Sequence, residues 1–283
     1  MTPRIDAHTH LFPPEQARNR QVIAGRDGTF AELYADPKAK MASIDQLAAA
    51  IAEAELDAAV CAGFAFEREQ EIEEQNAYLL QSARNSLTTV LSLATLNLTH
   101  VAWRTVCEGA LRAGARGFGE LRPRSQGWDP LGAAAHELCE LAAAANAVLL
   151  WHVSEPLGHA YPGKSGGIAP TELAHLAASH PTTKMIAAHL GGGLSFYLQM
   201  PEVKKSLRNV WFDTAAAFLL YDSESVSRLV GLAGHERVLF ASDYPLLSPR
   251  RQLELLESSL PGGTVEAVCG GNAKTLFSDI HGQ

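Results

Sequence analysis

Residues 4–10 read Arg-Ile-Asp-Ala-His-Thr-His, and this run predicts the first strand of the fold. Successive side chains of a strand point to opposite faces, so Asp6, His8 and His10 are expected on one face. Two imidazoles that are two residues apart near a strand end can hold one divalent metal ion. Taken alone, such a triplet is more often incidental than a metal site, and the rest of the chain must decide.

Seven more runs of branched apolar residues follow, and a helix-like stretch separates each from the next. The eight predicted strands cover residues 3–10, 56–63, 88–97, 115–121, 147–154, 184–191, 210–215 and 238–243. Parallel strands need crossover helices, so this alternation predicts an α/β fold, a (β/α)8 TIM barrel. An open doubly wound sheet is disfavoured because no glycine fingerprint follows the first strand. We interpret residues 1–283 as a single barrel domain, since such barrels use about 250 residues.

The surplus length lies mainly in residues 11–42, between the first strand and the first predicted helix. This stretch contains prolines and mixed charges, so we expect a long β1–α1 loop. In a barrel it would lie over the carboxyl ends of the strands. It is interpreted either as a surface excursion or as a lid.

Several helix starts can be predicted from capping patterns. Ser43 and Gln46 form a capping-box pattern before a helix at 47–55. Thr99 is expected to cap a helix over 100–113. Asp129, followed by a proline, is expected to open a helix that runs to residue 145.

The composition indicates a globular, acidic protein, with 47% hydrophobic residues, 19% charged residues and a net charge of −8. This acidic charge balance argues against nucleic acid as a partner. No basic patch precedes an apolar core at the amino terminus, and no apolar run reaches the ~20 residues of a membrane span. We therefore expect a cytoplasmic protein without a membrane partner. The cysteines are far apart and form no CxxC pair, which indicates buried thiols in a reducing compartment: Cys61, Cys107, Cys139 and Cys269.

Side chains that bind metals also fall where four other predicted strands end: Glu120, His152, His189 and Asp243. Each has an ordinary structural interpretation, such as a turn role for Asp243 before Tyr-Pro. Together with the paired histidines, however, six such residues fall at the same end of five strands. Barrel enzymes build their chemistry from these ends, so the joint pattern predicts a metal site.

The sequence resembles the amidohydrolase superfamily, in particular its amidohydrolase-related branch of metal-dependent hydrolases and decarboxylases. The resemblance extends over the whole chain. It rests on Ile-Asp-Ala-His-Thr-His at 5–10, on His152 and His189, on Ser-Asp-Tyr-Pro at 242–245, and on Gly-Asn-Ala-Lys-Thr-Leu-Phe at 271–277.

This resemblance implies that His8, His10 and Asp243 bind one ion. It implies that His152 and His189 bind a second ion or assist a single one. Many relatives bridge two ions with a carboxylated lysine from the fourth strand, but no lysine occurs at 115–122. Glu120 stands in its place, as in TatD-type nucleases, and favours two ions. The donors suit zinc, with manganese as the alternative.

The resulting hypothesis is a metal-dependent hydrolase of a small-molecule ester, lactone, amide or related bond. A metal-bound hydroxide would attack that bond, with Asp243 as proton shuttle and His189 as a second catalytic residue. The predicted substrate-binding residues follow the fourth and fifth strands and are Arg122, Tyr161 and Lys164. Arg122 has a second interpretation, an ion pair with a loop acid. A homodimer is the default assembly.

Three other functions compete with hydrolysis. The first is non-oxidative decarboxylation of an aromatic or unsaturated acid, which the resemblance allows. Such enzymes use one ion and a histidine proton donor, so Glu120 counts against it. A TatD-type nuclease is disfavoured because no stripe of Lys and Arg appears. A barrel without activity is disfavoured by the complete set of metal-binding residues.

Overall fold

The computed structural model describes residues 2–278. Within them, eight parallel strands form one sheet in which sequence neighbours pair from β1 to β8. The nearly closed sheet, with helices between its strands, confirms the predicted (β/α)8 barrel. The strands are Ile5–His10 (β1), Ala58–Ala62 (β2), Thr89–Ala94 (β3), Gly117–Leu121 (β4), Val148–Trp151 (β5), Lys184–Ala187 (β6), Val210–Asp213 (β7) and Val238–Leu239 (β8).

Helices connect these strands, and three of them precede the first crossover helix. The α-helices are Pro14–Arg18 (α1), Arg20–Ala24 (α2), Gly28–Tyr34 (α3), Ile44–Glu53 (α4), Glu69–Asn85 (α5), Trp103–Arg112 (α6), Ala133–Ala144 (α7), Pro170–Ser179 (α8), Pro201–Ser206 (α9), Ala217–Leu220 (α10), Ser225–Ala233 (α11), Pro249–Ser259 (α12) and Asn272–Ser278 (α13). Tighter 3₁₀ turns occur in His189–Gln199, where left-handed residues 190–193 interrupt them, and at His235–Arg237, and a π-helical turn spans Ala267–Gly271.

Alternate residues of the strands pack in two different apolar clusters. In β2, Ala59 and Cys61 belong to an outer cluster that the surrounding helices cover. The inner cluster fills the barrel with alternate residues such as Val60 and Leu150. Phe277 of α13 joins the inner cluster, and α13 contacts β1 and β8, so this helix closes the amino-terminal end of the barrel. The opposite end is left for the site.

The barrel closes between β8 and β1 through few backbone bonds. A single bridge pairs Thr9 with Tyr244. The amide of Asp243 donates to the carbonyl of His8 at 3.0 Å, and the amide of Ala7 donates to the carbonyl of Phe240 at 2.8 Å. We call this junction the seam.

The pairing register shifts once in β1 and once in β4. In β1 the shift lies between Asp6 and Thr9, and Asp6 pairs with Ala59 of the outer cluster. The expectation that Asp6 shares one face with His8 and His10 is therefore wrong, because an extra residue interrupts the two-residue alternation. Asp6 instead accepts hydrogen bonds from the backbone amides of His8 and Ser242.

The segment 11–42 is not the loop expected from sequence, because it contains α1, α2 and α3. Phe12 and Phe30 from this segment pack with Phe64 and Phe66, which follow β2. Asp27 also joins this segment to the residues that follow β2, through hydrogen bonds to both. Its Oδ1 accepts from the amide of Phe30 at 2.9 Å, and its Oδ2 accepts from the amides of two residues that follow β2, Glu67 and Arg68.

One of the three helix starts agrees with its prediction. The amide of Ser43 donates to Gln46 Oε1 at 2.9 Å at the start of α4, as expected. Thr99 does not cap α6, because its hydroxyl bonds to Asn97 Oδ1 and the helix begins at Trp103. Asp129 forms a local turn with the amide of Leu131, so α7 begins later than predicted.

Two expectations from composition can be compared with residues 2–278. The four cysteines are buried and free, which agrees with the prediction of buried thiols. In this part of the chain, no helix is both long enough and apolar enough to cross a membrane.

Candidate metal centre

Six side chains meet at the carboxyl end of the barrel in two groups of three. The first trio is His8, His10 and Asp243, and the second trio is Glu120, His152 and His189. Within each trio, one donor atom from each residue lies within 4.8 Å of the others. The structure thus brings together all six residues that the sequence singled out as metal ligands.

The first trio lies across the seam, with two residues from β1 and one that follows β8. The Nε2 atoms of His8 and His10 are 3.1 Å apart. Asp243 Oδ1 is 3.6 Å from His10 Nε2. Asp243 has a φ of 62°, a left-handed conformation uncommon for residues other than glycine. The hydrogen bond from its backbone amide to the His8 carbonyl helps to hold it there.

Glu120 lies between the two trios and offers one oxygen to each. Its Oε1 is 2.8 Å from His152 Nδ1 and 3.2 Å from His189 Nε2. Its Oε2 is 3.7 Å from His10 Nε2 and 3.9 Å from His8 Nε2. A carboxylate in this position can contact two ions at once.

The second nitrogen of each histidine ring lies close to a protein oxygen, to which it can donate. The four pairs are His8 Nδ1 with Asp213 Oδ2, His10 Nδ1 with the Ala62 carbonyl, His152 Nε2 with the Gly163 carbonyl, and His189 Nδ1 with the Ala215 carbonyl. A neutral imidazole that donates from one nitrogen keeps a lone pair on the other. Each ring can therefore direct a lone pair toward the other members of its trio. This arrangement fits a divalent metal ion, because bound histidines are oriented in this way.

Asp213 orients two of these histidines and was missed by the sequence reasoning. Besides His8, it contacts the backbone amides of His189, at 2.9 Å, and Ala215, at 3.1 Å, through Oδ1. It is fully buried. The signal was available, because Asp213 ends β7 just as the other ligands end or follow their strands.

The charges of the site shift the pKa values of its members in opposite directions. Burial lowers the pKa of His8, but Asp213 and Glu120 outweigh it and raise the value to about 9. Burial likewise opposes the effect of Glu120 on His189, whose pKa rises to about 10. Burial raises the pKa of Glu120, yet His152 and His8 hold it well below its usual range. Before an ion binds, the site therefore stabilises an anionic carboxylate between cationic imidazoles.

The three predicted substrate-binding residues have partners within the protein. Arg122 Nη2 donates to Glu32 Oε2 at 2.9 Å, which matches its second interpretation as an ion pair. Lys164 Nζ donates to two carbonyls of its own loop, those of Leu157 and His159. The Tyr161 hydroxyl donates to the carboxylate of Glu155.

Glu155 and two tyrosines form a cluster beside His189. Glu155 accepts from Tyr161 at 2.5 Å and from Tyr221 at 2.7 Å. The Tyr221 hydroxyl also lies 3.3 Å from the carbonyl of His189. Glu155 and Tyr221 gave no signal in the sequence, because they come from loops whose courses could not be predicted.

Two segments lie together over the carboxyl end of the barrel. They are α3 and the loop between β5 and α8, and we call them the roof. Glu32 of α3 accepts from Ser125 at 2.8 Å as well as from Arg122. Leu33 packs so close to Gly163 that a Cβ at that glycine would lie 2.9 Å from Leu33 Cδ2.

A family model described as Amidohydrolase matches residues 5–278. The chain belongs to the amidohydrolase family. The resemblance inferred from the strand-end residues is thereby confirmed. A search among curated proteins finds no matching sequence.

Several solved structures share the amidohydrolase barrel of this chain. The 5-carboxyvanillate decarboxylase of Sphingomonas paucimobilis matches with a TM-score of 0.76 and 15% identity, over 98% of this chain and 99% of that one. A dihydroxybenzoic acid decarboxylase of Polaromonas sp. JS666, with bound manganese and the inhibitor 2-nitroresorcinol, matches with 0.70 and 17%, over 98% and 97%. A structure named amidohydrolase II matches with 0.72 and 19%, over 97% and 99%.

The family match supports an enzyme of the amidohydrolase superfamily. The two trios of this chain offer donors that could hold a divalent metal ion, and the Polaromonas structure contains manganese. Two of the three structures are described as decarboxylases. At these identities the likeness itself shows the fold.

Proposed function

We propose that this protein is a hydrolase with two divalent ions, acting on an ester, lactone, amide or related bond of a small molecule. One observation carries the proposal: Glu120 offers Oε1 to the second trio and Oε2 to the first. With two ions, both groups of donors would serve as ligands. Two ions beside each other suit hydrolysis, in which an attacking and a leaving oxygen both need stabilisation.

The residues would divide between the two ions as the trios do. His8, His10 and Asp243 would hold one ion, His152 and His189 the other, and Glu120 would contact both. Mixed imidazole and carboxylate donors suit zinc, with manganese as the alternative. When bound, such ions supply Lewis acidity, which activates water as a nucleophile and polarises the bond to be cleaved.

Asp243 is the residue we assign to proton transfer. It is the least buried of the six, and it follows the last strand at the mouth of the barrel. Its carboxylate would accept the proton of the attacking water and return it to the leaving group. His189, held by its bonds to Asp213 and Ala215, would keep the second trio in position during this transfer.

Decarboxylation is the second candidate, and the similar structures are the observation that favours it. In that reaction the bond between the carboxyl carbon and the ring or chain breaks, carbon dioxide leaves, and a proton replaces it on carbon. With one ion bound by the first trio, His189 could donate this proton, because the Glu120 carboxylate 3.2 Å from its Nε2 favours the protonated ring. Glu120 would then pair with His152 and His189 instead of joining two ions.

Metal content separates the two candidates. Protein purified without chelator and supplied with zinc or manganese is expected to hold two ions per chain. Glu120→Ala should reduce this to one or fewer and abolish hydrolysis of ester, lactone and amide substrates. Glu108→Ala is the matched control, because Glu108 is an exposed residue of α6 that pairs with Arg112.

The opposite result is equally informative. One ion per chain in the wild type, unchanged by Glu120→Ala, would refute the two-ion hydrolase. Release of carbon dioxide from hydroxybenzoates or other aromatic acids by that single-ion protein would establish decarboxylation.

A further inference from the structure

Arg122 is a buried cation with most of its hydrogen-bonding capacity unused. The residue is 1% exposed. A guanidinium carries five N–H bonds. Nη2 donates to Glu32 and to the Ser165 carbonyl, both at 2.9 Å. Nε and Nη1 have no partner among the residues that the structure describes.

The side chain of Arg122 lies beside the metal centre, beneath the roof. The preceding residue, Leu121, packs in the outer cluster, so Arg122 projects from the opposite face of the chain. Two consecutive glycines of the β5–α8 loop confirm its position. A Cβ at Gly166 would lie 2.9 Å from Arg122 Nη2, and a Cβ at Gly167 would lie 2.6 Å from His152 Cδ2. Adjacent glycines of this loop therefore lie against the Arg122 guanidinium and against the ring of His152, a member of the second trio.

Unpaired donors of a buried charge are costly, and natural proteins rarely keep them without a reason. Glu32 neutralises the charge only in part, since it contacts the guanidinium through one oxygen and its side chain is 42% exposed. The ion pair can therefore open toward solvent at low cost. A second carboxylate could take the place of Glu32 and also reach Nη1.

We propose that Arg122 binds a carboxylate of the substrate and that Glu32 occupies this position until the substrate arrives. The exchange replaces one carboxylate by another, so the buried charge remains compensated throughout. Planar carboxylates match the donor geometry of arginine better than that of lysine. The proposal deepens the proposed function by specifying that the substrate is an organic acid, with its carboxylate beneath the roof and its reacting bond at the ions.

Metal-free protein tests this proposal independently of the reaction. Benzoate is titrated into chelator-treated protein by calorimetry, with benzamide as the uncharged probe of the same shape. Without ions, benzoate cannot bind as a metal ligand, and the Arg122 variant distinguishes binding at the guanidinium from binding at the protonated histidines. A failure here leaves the two-ion hydrolase untouched. We expect saturable binding of benzoate and much weaker binding of benzamide.

Three variants make the test specific to Arg122. Arg122→Gln should weaken benzoate binding about tenfold or more, the usual effect of losing a charged hydrogen bond. Arg124→Gln is the control, because Arg124 is an exposed neighbour that pairs with Glu172. It should bind like the wild type. Glu32→Gln should bind benzoate several-fold more tightly, because the competing carboxylate is gone.

Three results would overturn the proposal. They are no saturable benzoate binding by the wild type, equal affinity for benzoate and benzamide, or unchanged affinity in Arg122→Gln. Circular dichroism will show whether Arg122→Gln folds. If it does not, Glu32→Gln decides alone, and unchanged benzoate affinity in that variant overturns the proposal.

Discussion

Asp213 shows how one buried carboxylate can determine the protonation state of His8, a candidate metal ligand. Its Oδ1 is fixed by two backbone amides, and its Oδ2 faces His8 Nδ1. The two amides require an oxygen at the Oδ1 position. The atom at the Oδ2 position therefore decides which nitrogen of His8 carries the proton. With aspartate, the proton stays on Nδ1, and Nε2 is free to bind an ion.

Asp213→Asn should preserve the fold but weaken metal binding at the first trio. The asparagine oxygen would stay with the two amides, so its NH₂ group would face His8 Nδ1 and move the ring proton to Nε2. We expect metal affinity to fall about 10- to 100-fold. Metal titration followed by calorimetry measures this, with the exposed Asp222→Asn as control. Wild-type affinity in Asp213→Asn would show that His8 does not need this partner.

At the scale of elements, α3 is held in place mainly by aromatic packing. Phe30 is fully buried, and its ring centroid lies 5.4 Å from that of Phe66 and 5.0 Å from that of Tyr34. Because Glu32 and Leu33 belong to the same short helix, this packing also positions the roof. The helix is only seven residues long, so tertiary contacts must stabilise it.

Phe30→Ala should destabilise the protein and displace the roof without emptying the metal centre. Loss of a buried phenylalanine costs about 3–5 kcal/mol in free energy of unfolding. Urea denaturation measures that cost, and metal analysis should show unchanged content, since the six ligands lie on other elements. Val22→Ala in α2 is the control, because Val22 is 61% exposed. Loss of metal in Phe30→Ala would mean that the aromatic cluster also supports the trios.

Sequence patterns predicted the strands better than the connections between them. Strand ends carry their ligands at positions fixed by the barrel, so His152 and Glu120 could be placed from sequence. The same reasoning failed for Asp6, because a register shift is not visible in the apolar pattern. Glu155 and Tyr221 meet across two loops, and no local periodicity reports such contacts. The prediction that Thr99 caps a helix failed because its hydroxyl donates to Asn97 Oδ1 instead.

At the scale of the whole molecule, the metal centre couples stability to pH. In the metal-free chain the pKa values of His8 and His189 are raised to about 9 and about 10, from 6.5. Between pH 6.5 and these raised values, the two histidines therefore keep protons in the folded chain that they have released in the unfolded chain. The resulting stabilisation is fully present below pH 6.5 and is lost as the pH rises through about 9 to 10.

We expect the urea midpoint of chelated protein to fall between pH 6.5 and pH 10. Metal-loaded protein should lack this fall, because bound ions require neutral imidazoles. A double variant, His8→Asn with His189→Asn, should flatten the curve of the chelated protein. A chelated wild type whose midpoint is constant over this range would contradict the prediction.

The seam gives the first ion a mechanical role in addition to a chemical one. Few backbone bonds join β8 to β1, yet the ligands of the first trio stand on both sides of that junction. An ion bound there would reversibly tie residues 8 and 10 to residue 243, closing the intervening chain into a loop. Because the ligands come together only in the folded chain, the ion would stabilise the fold by mass action, more strongly at higher free metal concentration. The cell's supply of metal would then govern how long the folded protein survives proteolysis, as well as how fast it works.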